Sequence, residues 1–111
     1  MATYRTNLPQ LSGDVFLTDA GVETDLIFNH GIEIREFAAH TLLTDPRGKA
    51  ALERYHRGFL NLACETGTGY ILDSQTWKAH PHWSKDLGES VEQLAAINAA
   101  CITFISDLTA R

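Results

Sequence analysis

At 111 residues the chain has room for one small domain. It is 44% hydrophobic and 21% charged, the balance of an ordinary soluble globular protein. Nine basic and 14 acidic residues leave a net charge of −5, which disfavours a nucleic-acid partner, since a phosphate backbone asks for a basic face.

Cys64 and Cys101 form no C-x-x-C pair and sit in apolar, helix-like stretches. They read as small core hydrophobes in a reducing compartment, so a cytoplasmic location is expected. The opening MATYRTNLPQ has no apolar core of a signal peptide, and no run approaches the roughly 20 apolar residues that span a bilayer.

Residues 1–13 are polar, with Pro9 and Gly13, and read as an N-terminal arm. Val15 to Thr18 is a short apolar run that suits a buried strand. It stops at Asp19-Ala20-Gly21, a turn. Thr24 to His30 suits a short helix with Gly31 as its left-handed stop. Asp45-Pro46 reads as an N-cap followed by proline at the first helical position. Leu52, Tyr55, Phe59, Leu62 and Ala63 then recur at helical spacing until Gly67, and Tyr55 and Phe59 are expected in the core. Tyr70-Ile71-Leu72 is a second apolar run, ending in Asp73-Ser74-Gln75-Thr76-Trp77. KAHPHWSKDLGE reads as a polar loop. Ser90 and Gln93 make a capping-box pattern, and Leu94, Ile97, Cys101, Ile105 and Leu108 carry a helical stripe to the end.

The order strand, helix, strand, helix, with continuous apolar strands, predicts parallel βα units. Each strand delivers a polar cluster at its carboxyl end, where α/β folds place ligands. Asp19 and Asp73 are thereby candidates for a shared pocket, although Asp19 also suits a plain turn or cap role and Asp73 a cap or ion pair. His56, between Arg54 and Arg57 on the long helix, suits a surface or interhelix hydrogen-bonding role better than catalysis. His80-Pro81-His82 offers two metal-ligand types, but with no third ligand nearby it suits a loop, with Trp77 and Trp83 as pocket walls or packing. Gly67-Thr68-Gly69 precedes a strand, so it fails as a phosphate loop.

FLTDAGVETDLIFNHG and TLLTDPRGKAALERYHRGFLNLACETGTGYILDSQTW together resemble the opening of the homocysteine S-methyltransferase family. The family reads Asp-Gly-Gly after its first strand, a mid-helix His where His56 falls, and a Thr-Asn-Thr-Phe-like cluster where Ser74-Gln75-Thr76-Trp77 falls. The likeness spans residues 14–108. It implies a fold, the N-terminal βαβα portion of a (β/α)₈ TIM-type barrel that is incomplete at 111 residues, with residues 14–111 as two βα units. It implies methyl transfer to a thiol such as homocysteine, giving methionine, with a small-molecule thiol and a methyl donor as partners. Asp19, Gly21 and Thr76 match substrate-binding positions, Asp19 taking the ammonium group. Ala20 replaces a glycine, Gln75 an asparagine, and Glu23 puts an extra negative charge beside the pocket, which points to a divergent substrate. The family's cofactor is zinc held by cysteines. Cys64 and Cys101 match none of those positions, so the chain is expected to lack zinc and turnover on its own. A non-catalytic module that oligomerises through exposed parallel strand edges is the alternative.

Overall fold

The computed structural model describes residues 4–109. The first strand, β1 (Phe16–Thr18), leads into helix α1 (Val22–Phe28); helix α2 (Pro46–Thr66) runs back to strand β2 (Gly69–Ile71); and helices α3 (Pro81–Leu87) and α4 (Val91–Thr109) complete the described chain. Short 3₁₀ turns occupy Pro9–Leu11, Arg35–Phe37 and Ala39–Thr44. Residues 1–3 of the arm and 110–111 of the barrel assignment lie outside the described residues.

Local chemistry sets the helix ends. Asp45 caps α2 by accepting the Arg47 amide, with Pro46 at the first helical position. Gly67, at φ 67°, stops it in the left-handed region that glycine enters without penalty. Ser90 and Gln93 exchange their side-chain and backbone hydrogen bonds at 3.1 and 2.8 Å, opening α4 with a capping box. α1 begins two residues before the expected Thr24, and Gly31 takes φ 66° beyond its end.

KAHPHWSKDLGE is not a loop. Pro81 starts α3, His80 Nδ1 accepts the His82 amide at its cap, and Gly88 ends it at φ 70°. The histidine pair is the start of a helix.

β1 and β2 are parallel, with Phe16, Leu17 and Thr18 opposite Gly69, Tyr70 and Ile71. The barrel expectation nevertheless fails. The chain is mostly helical, 62%, and this two-stranded sheet is its only sheet among the described residues, so the fold is not a βαβα portion of a TIM-type barrel. The strands are three residues long and little buried: Phe16 and Leu17 are half-buried and Ile71 is exposed, whereas barrel strands are covered on both faces. The core lies between helices instead. Val22 and Leu26 of α1, Leu42 of the 3₁₀ turn, Ala51 and Leu52 of α2, and Phe104 and Leu108 of α4 form one buried cluster. The Ala39–Thr44 turn sits between α2 and α4 and joins them. Apolar runs long enough to suggest buried strands thus serve a small sheet beside a helical core.

α4 is 19 residues long with mean hydropathy 1.2, so by length and composition alone it meets the requirement for crossing a membrane, contrary to the sequence reading. In this fold it buries Leu94, Cys101, Phe104 and Leu108.

Candidate functional site

The parallel register opens the carboxyl ends of both strands on the same side. Asp19 directly follows β1, and Asp73 lies two residues past β2. A pocket of about 360 Å³ lies between them. Asp19, Glu23 and Asp73 supply its carboxylates, Ser74 and Gln75 its neutral polar groups, and Ala20, Val22 and Trp77 the remaining wall.

Glu23, only 9% exposed, is the buried charge at this end. Trp77 Nε1 donates to its Oε1 at 2.7 Å, tying α1 to the segment after β2.

Asp19 is half-buried, and burial raises its carboxyl above the usual range. A hydrogen bond from Tyr55 works the other way, while the charges of Asp73 and Glu23 raise it further. Tyr55 is therefore not purely core. Its hydroxyl accepts the Ala20 amide at 3.1 Å and donates to Asp19 Oδ2 at 3.4 Å. Burial pushes the phenol up to about 12.

Beneath the pocket lies His56, fully buried, with Gln75 Nε2 donating to its Nε2. Gln75 Nε2 also reaches the Asp73 carbonyl at 3.2 Å. Burial lowers the imidazole to about 4, with Asp73 opposing, so the ring is neutral at physiological pH. Lys78, likewise buried, donates to the Glu36 carbonyl and lies 4.9 Å from the Trp77 ring centre and 4.1 Å from that of Trp83. It fastens the left-handed backbone at Glu36 and Phe37, φ 52° and 58°, to the strand-end segment.

Asp19 lines the pocket. Thr76 does not; its hydroxyl pairs at 2.8 Å with the hydroxyl of Ser74, which does. Gly21 opens α1 with φ −85°, and a Cβ there would lie 3.4 Å from Thr24, so the backbone does not demand glycine. Gly21 faces a second, larger groove of about 500 Å³ between α1 and α2, whose lining includes Leu26, Arg54, Tyr55 and Phe59.

Sequence reasoning missed the Tyr55 and Trp77 bonds, and it gave His56 a surface or interhelix hydrogen-bonding role, whereas the ring is buried and bonds Gln75 in the segment after β2. A signal existed for His56, which sits four residues after Leu52 and seven before Ala63 on the buried face of α2.

The zinc implied by the family likeness does not fit these residues. Cys64 is exposed, Cys101 is buried on α4 with its thiol pushed up to about 11, and among the described residues no group of three or more His, Cys, Asp or Glu side chains is placed to hold a metal ion. Comparison with protein-family models, with characterised proteins and with solved structures finds no match for the chain.

Proposed function

We propose that these residues form the amino-acid-binding part of a thiol methyltransferase of the homocysteine S-methyltransferase kind. Asp19 takes the ammonium group of a substrate such as homocysteine, and Thr76 steadies the pocket through Ser74. One observation carries the reading: two strand-ending polar clusters, 54 residues apart, share a single carboxylate-lined pocket. Its negative charge suits a cationic head group, and the apolar area of Val22 and Trp77 suits a short carbon chain.

Methyl transfer forms a sulfur–carbon bond as the donor's methyl bond breaks, and the thiol must first give up its proton. Carboxylates ring this pocket, and a neighbouring negative charge holds a thiol protonated. These residues accordingly bind and orient, and thiolate activation falls outside them. The reading places the chain in the cytoplasm, in keeping with its two free cysteines.

Amide NMR tests the reading. L-homocysteine should shift resonances of residues 19–25 and 73–77, and its desamino analogue mercaptobutyrate should leave them still. Equal shifts from both compounds would remove the ammonium role of Asp19.

The alternative, a non-catalytic module that pairs with copies of itself, is favoured by a different observation. The chain exposes 7355 Å², against about 6,100 Å² for a folded monomer of this mass. Val15 and Ile71 beside the strand edges, and Val91 and Ile102 on α4, are exposed. The surplus exceeds the roughly 800 Å² that each partner buries in a standard-size interface. Light scattering across a concentration series separates the two readings: a defined dimer supports assembly, a monomer at all concentrations rejects it.

A further inference from the structure

Tyr55 stands midway along α2, and its hydroxyl spans the turn after β1. The oxygen takes the Ala20 amide proton and the hydroxyl proton goes to Asp19 Oδ2. Two successive residues of one turn are held by the two halves of a single hydroxyl, 35 and 36 positions away in the chain. The ring is itself fixed. It meets His56 and Phe59 edge-on, each with centroids 5.2 Å apart, and His56 is anchored to Gln75 on the far side of the pocket.

We infer that Tyr55 is a positioning residue that aims the Asp19 carboxylate for capture of a substrate ammonium group. The inference rests on the role proposed above for Asp19. Burial and the nearby charges of Asp73 and Glu23 disfavour ionisation of Asp19, and the hydrogen bond from Tyr55, with a smaller one from the backbone, favours it. A neutral Asp19 would offer an ammonium group a dipole in place of a charge. The phenol stays protonated, and so remains a donor, throughout the neutral range. A purely structural tyrosine would only have to satisfy the Ala20 amide. A positioning tyrosine must also couple its own acidity to the carboxylate, and that coupling is measurable.

The experiment follows the Asp19 side-chain carboxyl by carbon-detected NMR through a pH titration in three proteins: wild type, Tyr55→Phe, and the chain with fluorotyrosine at position 55. Tyr55→Phe keeps the ring packing and removes the hydroxyl. Fluorotyrosine is a more acidic donor of nearly the same shape, and carries the test even where the phenylalanine variant folds poorly. The Asp19 titration should move to higher pH in Tyr55→Phe and to lower pH with fluorotyrosine. L-homocysteine should bind Tyr55→Phe about tenfold more weakly than wild type near neutral pH, the loss of one hydrogen bond to a charged group. Mercaptobutyrate affinity should not change. An Asp19 titration that is the same in all three proteins overturns the inference, even if L-homocysteine binds. A titration that follows phenol acidity in a protein that does not bind L-homocysteine upholds the coupling and overturns the substrate reading.

Discussion

Trp77 and Glu23 are joined across 54 residues by an indole N–H that meets a buried carboxylate at 2.7 Å. The acceptor is charged, which makes the bond stronger than a neutral one, and leaving it unmade would strand an oxygen that water reaches poorly. Trp77→Phe should therefore destabilise the fold by about 1–3 kcal/mol, read as a lower urea midpoint. Glu23→Gln keeps a carbonyl acceptor and should cost less than half as much. Equal losses in the two variants would show that a neutral acceptor cannot stand in for the Glu23 carboxylate at this position.

His56 makes stability depend on pH. Its folded value of about 4 lies below the ordinary 6.5, so between those values the unfolded chain binds a proton that the fold refuses. The neutral ring's contribution is complete above pH 6.5 and is lost as pH falls towards 4. Two and a half pH units correspond to about 3 kcal/mol at full protonation. His56→Gln should flatten the decline measured by urea unfolding at a series of pH values. Parallel declines in the two proteins would exclude His56 as its source.

Asp19 works in the opposite sense. Its carboxyl is harder to ionise in the fold than in the unfolded chain, so its charge weighs against folding at neutral pH and the penalty fades as pH falls. Asp19→Asn keeps an acceptor for the Tyr55 hydroxyl and removes repulsion from Asp73 and Glu23. It should raise thermal stability near neutral pH while abolishing ammonium binding, the trade expected of a residue retained for function. A lower melting temperature in Asp19→Asn would mark Asp19 as structural.

Two glycines of α2 should respond oppositely to alanine. A Cβ on Gly48 would lie 2.6 Å from the Leu42 carbonyl oxygen and 3.0 Å from the Leu42 Cα, backbone that cannot step aside. Gly48→Ala should cost about 1–3 kcal/mol despite alanine's helix preference. Gly58 meets nothing within 4 Å, and Gly58→Ala should stabilise by about 0.5–1 kcal/mol. Chemical denaturation of the two variants checks both signs.

Much of this arrangement was legible in the sequence because it rests on local chemistry. Asp45, Pro46 and Gly67 bound α2 through cap geometry that short-range residue types dictate, and Ser90 with Gln93 did the same for α4. The two strands were legible as apolar runs, and Asp19 as the residue ending the first. The fold class was misjudged because an apolar run does not say what covers it. Ile71 is exposed, while Leu42, in a turn with no periodic pattern, is core. α3 is too short for periodicity to show and is capped by a histidine, an unusual N-cap, although Pro81 and Gly88 marked both its ends. The left-handed backbone at Glu36 and Phe37 has no glycine to announce it; Lys78 holds it from 42 positions away. Tyr55 was read as core from its helical spacing, which reports the ring's packing and is silent on the hydroxyl.

Calorimetric titration of L-homocysteine into wild type and Asp19→Asn puts the proposed role of the strand-end pocket to its most direct test. The account predicts saturable binding to wild type, at least a tenfold loss in Asp19→Asn, and no comparable binding of mercaptobutyrate to either protein. Equal affinity in the two proteins, or wild type that takes up mercaptobutyrate as readily as homocysteine, would contradict it.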